Sequence, residues 1–404
     1  MIRELGDIMT HSSLRIVAAA AAMLLGSTAA FAGGFALREQ SVVGQGSAFA
    51  GVAAGSGGVS SQFWNPAATS LLNDYGLISE SNFAGILPQS EAPGAGNVGE
   101  KALVPASAYS WGVNDQLTLG LTFGAPFGLA TDGNNGWAGT IYGDRSEVQT
   151  YTLGPSASYK LNDWIAIGLG AQLEYMTLYL DNRAGGDKIA KIDANGVGVG
   201  FTAGVMLTPS DTTQIGLGFR SSVHHKLEGK GLGVAPGPVF SGDVTGDFDT
   251  PEIVTLGIRQ QVSDQFALLA GVEWSNWSRF KELAITPDVG SIPVTTEKWN
   301  DGWYFSLGGE YAYNDKMVLR AGAAYEISPV NDTYRTPRIP DNDRVWLSAG
   351  ASYKINDKFT AHLAYSHVFM KDGDVNIPIG PGPGLNTSFD QHIDIVSLGL
   401  TSDW

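Results

Sequence analysis

The chain has no cysteine, so disulfide bonds and thiolate chemistry are excluded. Charged residues are scarce as well: they make up 16% of the 404 residues, against ~25% in a typical soluble domain. Outside the first residues, no apolar run is long enough for a transmembrane helix. If the chain crosses a membrane, it must therefore do so with strands in which apolar and polar residues alternate.

Basic residues are outnumbered, with 24 Lys and Arg against 40 Asp and Glu, which gives a net charge of −16. Nucleic acid is excluded as a partner because its phosphates would repel such a chain. Glycine, with 53 residues, and the aromatic residues, at 10%, are by contrast abundant. Both suit a membrane barrel, where strands pack closely and aromatic rings form girdles at the two interfaces.

Short turns that contain Asn, Asp or Ser recur along the chain, and segments of alternating polarity flank each of them. The six turns are Asn114-Asp115, Asn162-Asp163, Ser210-Asp211, Ser263-Asp264, Asn314-Asp315 and Asn356-Asp357. Such residues favour tight reversals because their side chains hydrogen-bond the local backbone. Short turns that alternate with long Gly- and Pro-rich connections are typical of an outer-membrane barrel. Six turns and one further strand at each end predict an all-β fold, a 14-stranded antiparallel transmembrane β-barrel.

Alternation gives each predicted strand one apolar and one polar face. In the twelfth strand, Val345 and Leu347 alternate with Arg344 and Trp346. A charge that faced lipid at mid-depth would cost about 2–4 kcal/mol, so the charged faces must line the interior. These charges either neutralise one another in a hydrated lumen or leave one arginine to capture an anionic ligand. They are Arg220, Arg259, Arg320 and Arg344 with Glu174, Glu273, Glu310 and Glu326.

The first 32 residues have the features of a secretory signal peptide. A basic residue precedes a short apolar run at residues 16–25, and small residues follow as far as Ala32. We expect cleavage after Ala32, so that Gly33 begins the mature chain. The acidic residues that follow Met1 suit a signal peptide poorly, which leaves Met9 as the alternative start.

The last strand alternates to its end and closes on Trp404. A terminal aromatic residue of this kind resembles the assembly signal of bacterial outer-membrane barrels, although Ser402 stands where an apolar residue is more usual. The resemblance implies the barrel-assembly machinery as a partner, with outer-membrane lipid and lipopolysaccharide around the barrel.

Residues 33–72 show no strand alternation, yet they contain large apolar residues that include Phe35, Phe63 and Trp64. A flexible periplasmic tail would be more polar. A 14-stranded barrel also has a lumen too wide for its own side chains to fill. We therefore predict that residues 33–72 form a hatch, or plug, inside the lumen and that residues 73–404 form the barrel.

Several motifs in the chain resemble those of the FadL/TodX family of outer-membrane transporters (the OMPP1 family). The marks are Gly33-Gly34-Phe35, Gly44-Gln45-Gly46, Phe63-Trp64-Asn65-Pro66-Ala67-Ala68, Phe127-Gly128-Leu129-Ala130-Thr131, the run from Trp274 to Phe280, and the run from Ile339 to Gly350. The third of these matches the Asn-Pro-Ala signature of the family's hatch. The resemblance implies passive import of long-chain fatty acids or, in some members, of monoaromatic hydrocarbons.

The resemblance also implies a route. An apolar ligand lands on apolar outer loops, enters a lumen pocket, and leaves sideways at a kink in the third strand after the hatch has rearranged. Gly124, Pro126, Phe127 and Gly128 lie in that strand, and Pro and Gly both weaken strand pairing. Alternatively, Pro126 ends the strand and opens the next loop. In the hatch, Asn65-Pro66 is suited to a tight turn that clamps the segment.

The predicted landing surface comes from the outer loops at residues 225–250 and 277–301, whose apolar residues otherwise pack on one another as a lid. We expect ligand contacts from Phe240, Trp277 and Phe280, and contacts with a carboxylate from the basic residues Lys281, Lys298, Arg335 and Arg344. The resemblance implies a basic residue on the fifth strand, but Met176, Thr177 and Leu178 occupy that region. This departure favours a neutral hydrocarbon or an ester over a free fatty acid.

Two other classes of protein compete with an importer. A hydrolase would need a serine, a histidine and an orienting polar residue on one face, and His362 and His367 point to opposite faces of one strand. A pair of histidines at 224 and 225 lacks metal-ligand spacing, so neither a catalytic residue, a metal nor a cofactor is expected. A general diffusion porin would have no plug, which the hatch argues against.

Overall fold

The computed structural model describes residues 33–72, 76–134, 136–235, 237–379 and 382–404. The predicted signal peptide, residues 1–32, and both candidate start codons lie outside the described residues. No helix in these ranges is long and apolar enough to span a membrane. The helical elements are short and are α1 (Val42–Gln45) and the 3-10 helices Val52–Ala54, Gly58–Phe63, Pro66–Leu71, Ala138–Ile141 and Trp277–Arg279.

Most of the described chain is strand. The segments are β1 (Gly76–Ala92), β2 (Gly96–Asn97), β3 (Ala102–Gly112), β4 (Leu117–Gly124), β5 (Gly128–Asp132), β6 (Arg145–Lys160), β7 (Ile165–Ala184), β8 (Asp187–Ser210), β9 (Thr213–Arg220), β10 (His224–Gly233), β11 (Phe240–Asp249), β12 (Ile253–Gln261), β13 (Phe266–Ser275), β14 (Glu282–Leu283), β15 (Ile285–Gly290), β16 (Thr295–Thr296), β17 (Gly302–Asn314), β18 (Met317–Ile327), β19 (Arg344–Lys354), β20 (Phe359–Met370), β21 (Gly373–Ile377) and β22 (Leu385–Asp403).

These segments form a closed antiparallel barrel of 14 strands, as the sequence predicts. Neighbours along the chain pair with each other, and β1 pairs with β22 from Ile78↔Asp403 to Glu91↔Asp390, which closes the barrel. Several of the barrel strands are interrupted, among them the thirteenth, which is divided into β20 and β21. The third is divided into β4 and β5, the seventh into β9 and β10, and the eighth into β11 and β12.

The six predicted turns connect barrel strands, and in five of them the first side chain accepts a hydrogen bond from the local backbone, as expected. In the sixth, Ser210 bonds the side chains of Thr212 and Thr213 instead. Asn114 Oδ1 accepts hydrogen bonds from the N–H groups of Gln116 and Leu117 at 3.0 and 2.9 Å. Asn356 does the same for Lys358 and Phe359, both at 2.9 Å. These local hydrogen bonds let each reversal form without help from the rest of the barrel.

The two faces of the barrel agree with the alternation in the sequence. Large apolar residues are exposed on the outer face, for example Leu307 at 70% and Leu347 at 49%. The residues next to them on the inner face, Ser306 and Trp346, are buried. An exposed apolar belt around a buried polar interior is the arrangement of a barrel that spans a membrane.

The prediction of an irregular loop at residues 225–250 is wrong. Residues 224–233 and 240–249 form β10 and β11, which pair from His224↔Asp249 to Gly233↔Phe240. Opposite charges face each other across this pair, at Lys226↔Asp247 and Lys230↔Asp243. Cross-strand charge pairs on the exposed face support a sheet that extends beyond the apolar belt. Its apolar side chains, such as Leu227, Val244 and Phe248, are buried instead, which reverses the apolar-out pattern of the belt.

Residues 33–72, the N-terminal segment, pack against inner-face residues of strands on all sides of the barrel. Glycines on these strands make the close approach possible, because an added Cβ would collide with the segment's backbone. At Gly216 it would lie 1.7 Å from the Ala53 carbonyl oxygen, and at Gly218 it would lie 1.8 Å from that of Trp64. The same close approach occurs at Gly168, Gly257, Gly308, Gly322 and Gly350.

Candidate functional site

The third barrel strand is broken at residues 125–127, and the N-terminal segment occupies the break. Leu37 N–H donates to the Pro126 carbonyl at 2.7 Å, and Gly128 N–H donates to the Phe35 carbonyl at 2.8 Å. These two bonds make Ala36 and Phe127 an antiparallel bridge. Proline has no N–H to donate to a ladder, so the strand cannot continue its pairing through Pro126.

The hydrogen-bond ladder between the second and third barrel strands has a gap beside this break. β3 pairs with β4 from Gly112↔Thr118 only as far as Ser107↔Phe123. Contact between the second and third barrel strands resumes further out, where Gly99 bridges Thr131. Between these points, none of the described residues continues the ladder, although β3 remains paired with β1 as far as Ala102. Next to this gap, the N-terminal segment makes its two hydrogen bonds to Pro126 and Gly128.

An apolar cavity of about 50 Å³, called the upper cavity below, lies between the N-terminal segment and the outer loops. Most of its wall comes from aliphatic and aromatic side chains of the barrel and outer loops, among them Leu129, Val148, Met176, Leu178, Leu227, Phe248 and Phe280. Phe35 of the N-terminal segment completes the wall. The cavity is smaller than the ~300–1,000 Å³ of pockets that enclose drug-sized ligands. A long ligand therefore fits only if Phe35 or a loop moves.

Phe35 is the centre of an aromatic cluster. Its ring centroid lies 4.6 Å from that of Trp277, 5.6 Å from Phe248, 5.7 Å from Trp299 and 6.2 Å from Phe127. Edge-on and tilted contacts of this kind are each worth about 0.5–1.5 kcal/mol beyond the area they bury. The cluster therefore links the outer loop at residues 277–301, the N-terminal segment and the strand break.

Two ionisable residues lie at the wall of the apolar cavity, Arg338 and Glu297. The Arg338 guanidinium donates to neutral acceptors, which include Ser146 Oγ at 2.7 Å and Asn182 Oδ1 at 2.9 Å. No carboxylate of the described residues lies within 4 Å of it. Burial lowers the pKa of Arg338 to about 10, so the residue stays charged at neutral pH.

Glu297 is held by the Trp299 indole, whose N–H donates to it at 3.0 Å. Burial raises the pKa of Glu297 from 4.5 to about 7, although the Trp299 hydrogen bond and the charge of Arg338 oppose this shift. One wall of the cavity thus carries a fixed positive charge and a carboxyl group that titrates near neutral pH.

A buried ionic network anchors the N-terminal segment to the barrel. Arg38 pairs with Glu273 and, at 3.1 Å, with Glu326, and its guanidinium lies 3.9 Å from the centre of the Tyr304 ring. Glu326 also lies 3.6 Å from Arg344. Breaking a buried pair by removing one partner costs about 3–5 kcal/mol, because a charge is left uncompensated. Arg38 therefore helps to fix the segment.

The predicted ligand residues fall into two groups. Phe280 lines the cavity, and Trp277 packs on Phe35. Phe240 is buried in the same apolar cluster but is not in the cavity wall.

The predicted basic residues are not in the cavity wall. Arg335 donates to the Asp341 and Asp374 carbonyls, and Arg344 pairs with Asp341 and Glu326. Lys298 contacts the Tyr334 hydroxyl at 3.3 Å.

The predicted hatch residues are brought together with the barrel wall. Asn65 Nδ2 donates to the carbonyls of Ala53 and Val205, at 2.8 and 3.0 Å, while Oδ1 caps the next 3-10 helix through Ala67 N–H at 2.9 Å. Pro66 occupies the first position of that helix, where its missing N–H costs nothing. Phe63 and Trp64 pack edge to face at 5.0 Å.

Sequence reasoning missed Arg338, Glu297 and Arg38. Arg338 directly precedes the motif that begins at Ile339, and Arg38 lies close to the Gly33-Gly34-Phe35 motif, so each had a signal nearby. Neither residue sits on a periodic strand, however, and alternation therefore gave no reason to choose it. Glu297 lies in an outer loop without a recognisable motif.

The closed barrel, its apolar belt and its buried polar interior define the class: this is a β-barrel membrane protein of the bacterial outer membrane, and residues 33–72 pack against the inner face of its strands. The family model described as "Outer membrane protein transport protein (OMPP1/FadL/TodX)" matches residues 23–402. The chain belongs to this family.

Its relatives are similar in length. The long-chain fatty acid transport protein of Salmonella typhi is 28% identical over 409 residues, which cover 90% of this chain and 93% of the relative. That of Escherichia coli (strain K12) is 28% identical over 421 residues with the same coverage. Outer membrane protein P1 of Haemophilus influenzae (strain ATCC 51907 / DSM 11121 / KW20 / Rd) is 26% identical, covering 86% of this chain and 88% of the relative.

Solved structures show the same fold. A Pseudomonas aeruginosa FadL homologue superposes with a TM-score of 0.83 at 22% identity, covering 92% of this chain and 99% of that one. The Ralstonia pickettii toluene transporter TbuX superposes with a TM-score of 0.71 at 17% identity, covering 91% and 99%.

Proposed function

We propose that the chain imports hydrophobic compounds passively across the outer membrane and that long-chain fatty acids are its first class of ligand. The observation that carries this proposal is the apolar cavity with Arg338 in its wall. Its aliphatic and aromatic lining suits an acyl chain, and a guanidinium without a carboxylate partner suits the acid group at its end. The names of the fatty acid transport proteins among its relatives agree with this choice.

Capture begins at the outer end of the barrel. Leu232, Val239 and Val289 are exposed there at 57%, 65% and 62%, and the register places Leu232 and Val289 on either side of Ser241. Exposed apolar side chains that lie together mark a binding surface. An acyl chain that lands on them is then close to the outer loop whose Trp277 and Phe280 cover the cavity.

Passage requires the N-terminal segment to act as a hatch. Phe35 closes the cavity from below, and the backbone of residues 35–37 fills the break in the third strand. When a ligand displaces Phe35, the hydrogen bonds to Pro126 and Gly128 are lost with it. The gap between the second and third barrel strands then opens sideways to the membrane, and an apolar ligand leaves through it.

The last strand and the exposed apolar belt indicate how the barrel is assembled and what surrounds it. The last strand ends at Trp404, whose indole N–H donates to Ser79 Oγ at 3.1 Å in the first strand. Through this strand the barrel-assembly machinery receives the chain after the signal peptide has been removed. The exposed apolar belt is solvated by outer-membrane lipid and lipopolysaccharide.

A monoaromatic hydrocarbon is the second candidate ligand. The observation that favours it is the fifth barrel strand, where Met176 and Leu178 line the cavity in place of a basic residue. A neutral ring would need no partner for a charge and fits a small apolar space. A general diffusion porin is disfavoured because the N-terminal segment fills the lumen.

The proposal is tested by uptake of radiolabelled oleate and radiolabelled toluene into cells that lack their own importer and express this chain. Saturable oleate uptake that falls in Arg338→Gln and is retained in Arg338→Lys supports the fatty-acid assignment. Uptake of toluene alone would identify the chain as an importer of monoaromatic hydrocarbons. Free passage of small sugars without uptake of either ligand would show that the chain is a general diffusion porin and not an importer. Ala84→Ser, on the inner face away from the cavity wall, controls for expression and assembly.

A further inference from the structure

Arg220 differs from the other inward-facing arginines of the barrel. Arg259 and Arg320 both pair with Glu310, at 3.0 and 2.9 Å, and Arg344 pairs with Glu326 at 3.6 Å. Arg220 has no carboxylate within 4 Å among the residues that the structure describes. It is nevertheless only 7% exposed, at the end of β9 where the seventh barrel strand is interrupted.

The two nearby acids are engaged with other partners. Glu174 accepts hydrogen bonds from Thr152 Oγ1 at 2.5 Å and shares one with His225 Nε2 at 3.1 Å. Glu273 pairs with Arg38 and accepts from Thr255 Oγ1 at 3.0 Å. The barrel therefore places carboxylates in the neighbourhood of Arg220 but directs them elsewhere.

The contacts that Arg220 does make are neutral. Its Nη1 donates to the Gln172 amide oxygen, and the guanidinium carbon lies 4.1 Å from the centre of the Phe63 ring in the N-terminal segment. A guanidinium has five N–H donors. In the described part of the chain, Gln172 is the one side chain to which Arg220 donates, so most of its donors remain available to a ligand.

Arg220 also stands where two small cavities meet. One, of about 20 Å³, is lined by Ala36, Leu37 and Pro126 and so adjoins the strand break. The other, of about 10 Å³, lies among polar side chains such as Thr152 and Gln172. Phe35 lines the upper apolar cavity, and its neighbours Ala36 and Leu37 line the cavity at Arg220. Residues 35–37 therefore separate the upper apolar cavity from the cavity at Arg220.

We infer that Arg220 forms a second, deeper subsite, which binds the carboxylate of an acyl ligand once residues 35–37 have moved. The charged groups that line the cavity at the break are Arg38, Arg220 and Glu273, which leaves one positive charge in excess. A carboxylate that leaves Arg338 thus finds a buried guanidinium beside the opening of the barrel wall. This inference rests on the proposed function. It adds that the ligand moves from Arg338 to Arg220 and that anionic ligands are preferred over neutral ones.

The experiment compares saturable uptake of radiolabelled oleate with that of oleyl alcohol, which has the same chain without the charge. Wild type, Arg220→Gln, Arg220→Lys and Arg259→Gln are expressed at matched surface levels, and heat-modifiable mobility on gels verifies the folded barrel. Arg259→Gln is the matched control because that inward arginine has a carboxylate partner.

We expect Arg220→Gln to lower oleate uptake about tenfold, the effect of losing one charge-assisted hydrogen bond, and to leave oleyl alcohol uptake unchanged. Arg220→Lys should recover most of the oleate uptake, and Arg259→Gln should not discriminate between the two ligands. A loss of both ligands in equal measure, or of neither, in Arg220→Gln would overturn the subsite while leaving the importer intact. Wild type that takes up oleyl alcohol but not oleate would overturn it as well. Wild type that takes up neither ligand would refute the importer and the subsite together.

Discussion

The side-chain amide of Asn65 donates a hydrogen bond of 3.0 Å to the Val205 carbonyl, which fixes the N-terminal segment to the inner wall of the barrel. Its second donor bond, to Ala53 at 2.8 Å, stays within the segment. One residue therefore holds the segment in shape and in place. The neighbouring Gly204 leaves room for it, since a Cβ there would lie 1.9 Å from Asn65 Oδ1.

Asn65→Ala should loosen the N-terminal segment without unfolding the barrel. It removes one hydrogen-bond donor from each of the Ala53 and Val205 carbonyls, at a cost of about 1–3 kcal/mol in a buried site. We expect faster proteolysis of the segment and lower saturable oleate uptake. Asn65→Asp, which keeps the cap but loses both donor bonds, should behave like Asn65→Ala. Uptake and protease resistance equal to wild type in both variants would show that the Asn65 clamp has no role.

Gly218→Ala should displace the N-terminal segment by direct collision. The new Cβ would lie 1.8 Å from the Trp64 carbonyl oxygen, and backbone cannot yield as a flexible side chain does. We expect the lumen to admit small sugars in a liposome-swelling assay, where wild type does not. Gly85→Ala is the control, because its Cβ would meet only the Val396 carbonyl oxygen, at 3.6 Å. A wild-type swelling rate in Gly218→Ala would contradict the close fit.

A disulfide between Cys residues placed at Ala36 and Phe127 should lock the segment into the strand break. The two residues form an antiparallel bridge whose flanking residues carry the hydrogen bonds, and the Cα atoms in such a pair are about 4.5 Å apart, within disulfide range. The chain has no other cysteine to compete. We expect the oxidised double variant to lose oleate uptake and a reductant to restore it. The reduced double variant is its own control, and equal uptake in both states would exclude movement of residues 35–37.

The affinity of the upper cavity for a carboxylate should fall as pH rises through about 7. The pKa of Glu297 is raised to about 7 by burial, so the group becomes negative over this range and opposes an anionic ligand beside Arg338. Equilibrium binding of oleate to the purified protein should weaken between pH 6 and 8 by roughly threefold to tenfold, the effect of about 1 kcal/mol.

Glu297→Gln should remove this pH dependence, and oleyl alcohol should show none in either protein. The free energy of unfolding should change with pH in the same direction as the affinity for oleate. Because the pKa of Glu297 is higher in the folded state than the ordinary 4.5, its contribution to the free energy of unfolding falls as pH rises from about 4.5 to about 7 and is constant above that. If the pH dependence of oleate binding persisted in Glu297→Gln, a titrating group other than Glu297 would be its cause.

The sequence by itself determined the barrel: the number of strands, their faces and their turns. These features depend on a period of two and on local side-chain bonds such as those of Asn114, which need nothing from the distant chain. The same logic failed at residues 225–250, where charged residues stand opposite each other on the exposed face of two strands while Val244 and Phe248 are buried. This is the reverse of the apolar-out pattern from which the other strands were assigned.

Only the tertiary structure decided which residues meet in the lumen. Arg335, Arg338 and Arg344 are close in sequence and equally basic, yet ion pairs engage Arg335 and Arg344, and only Arg338 reaches the apolar cavity. Likewise, nothing in the alternation separates Arg220 from Arg259. The partner of a buried charge is set by contacts between distant segments, here the N-terminal segment and the barrel wall, and such contacts leave no local period in the sequence.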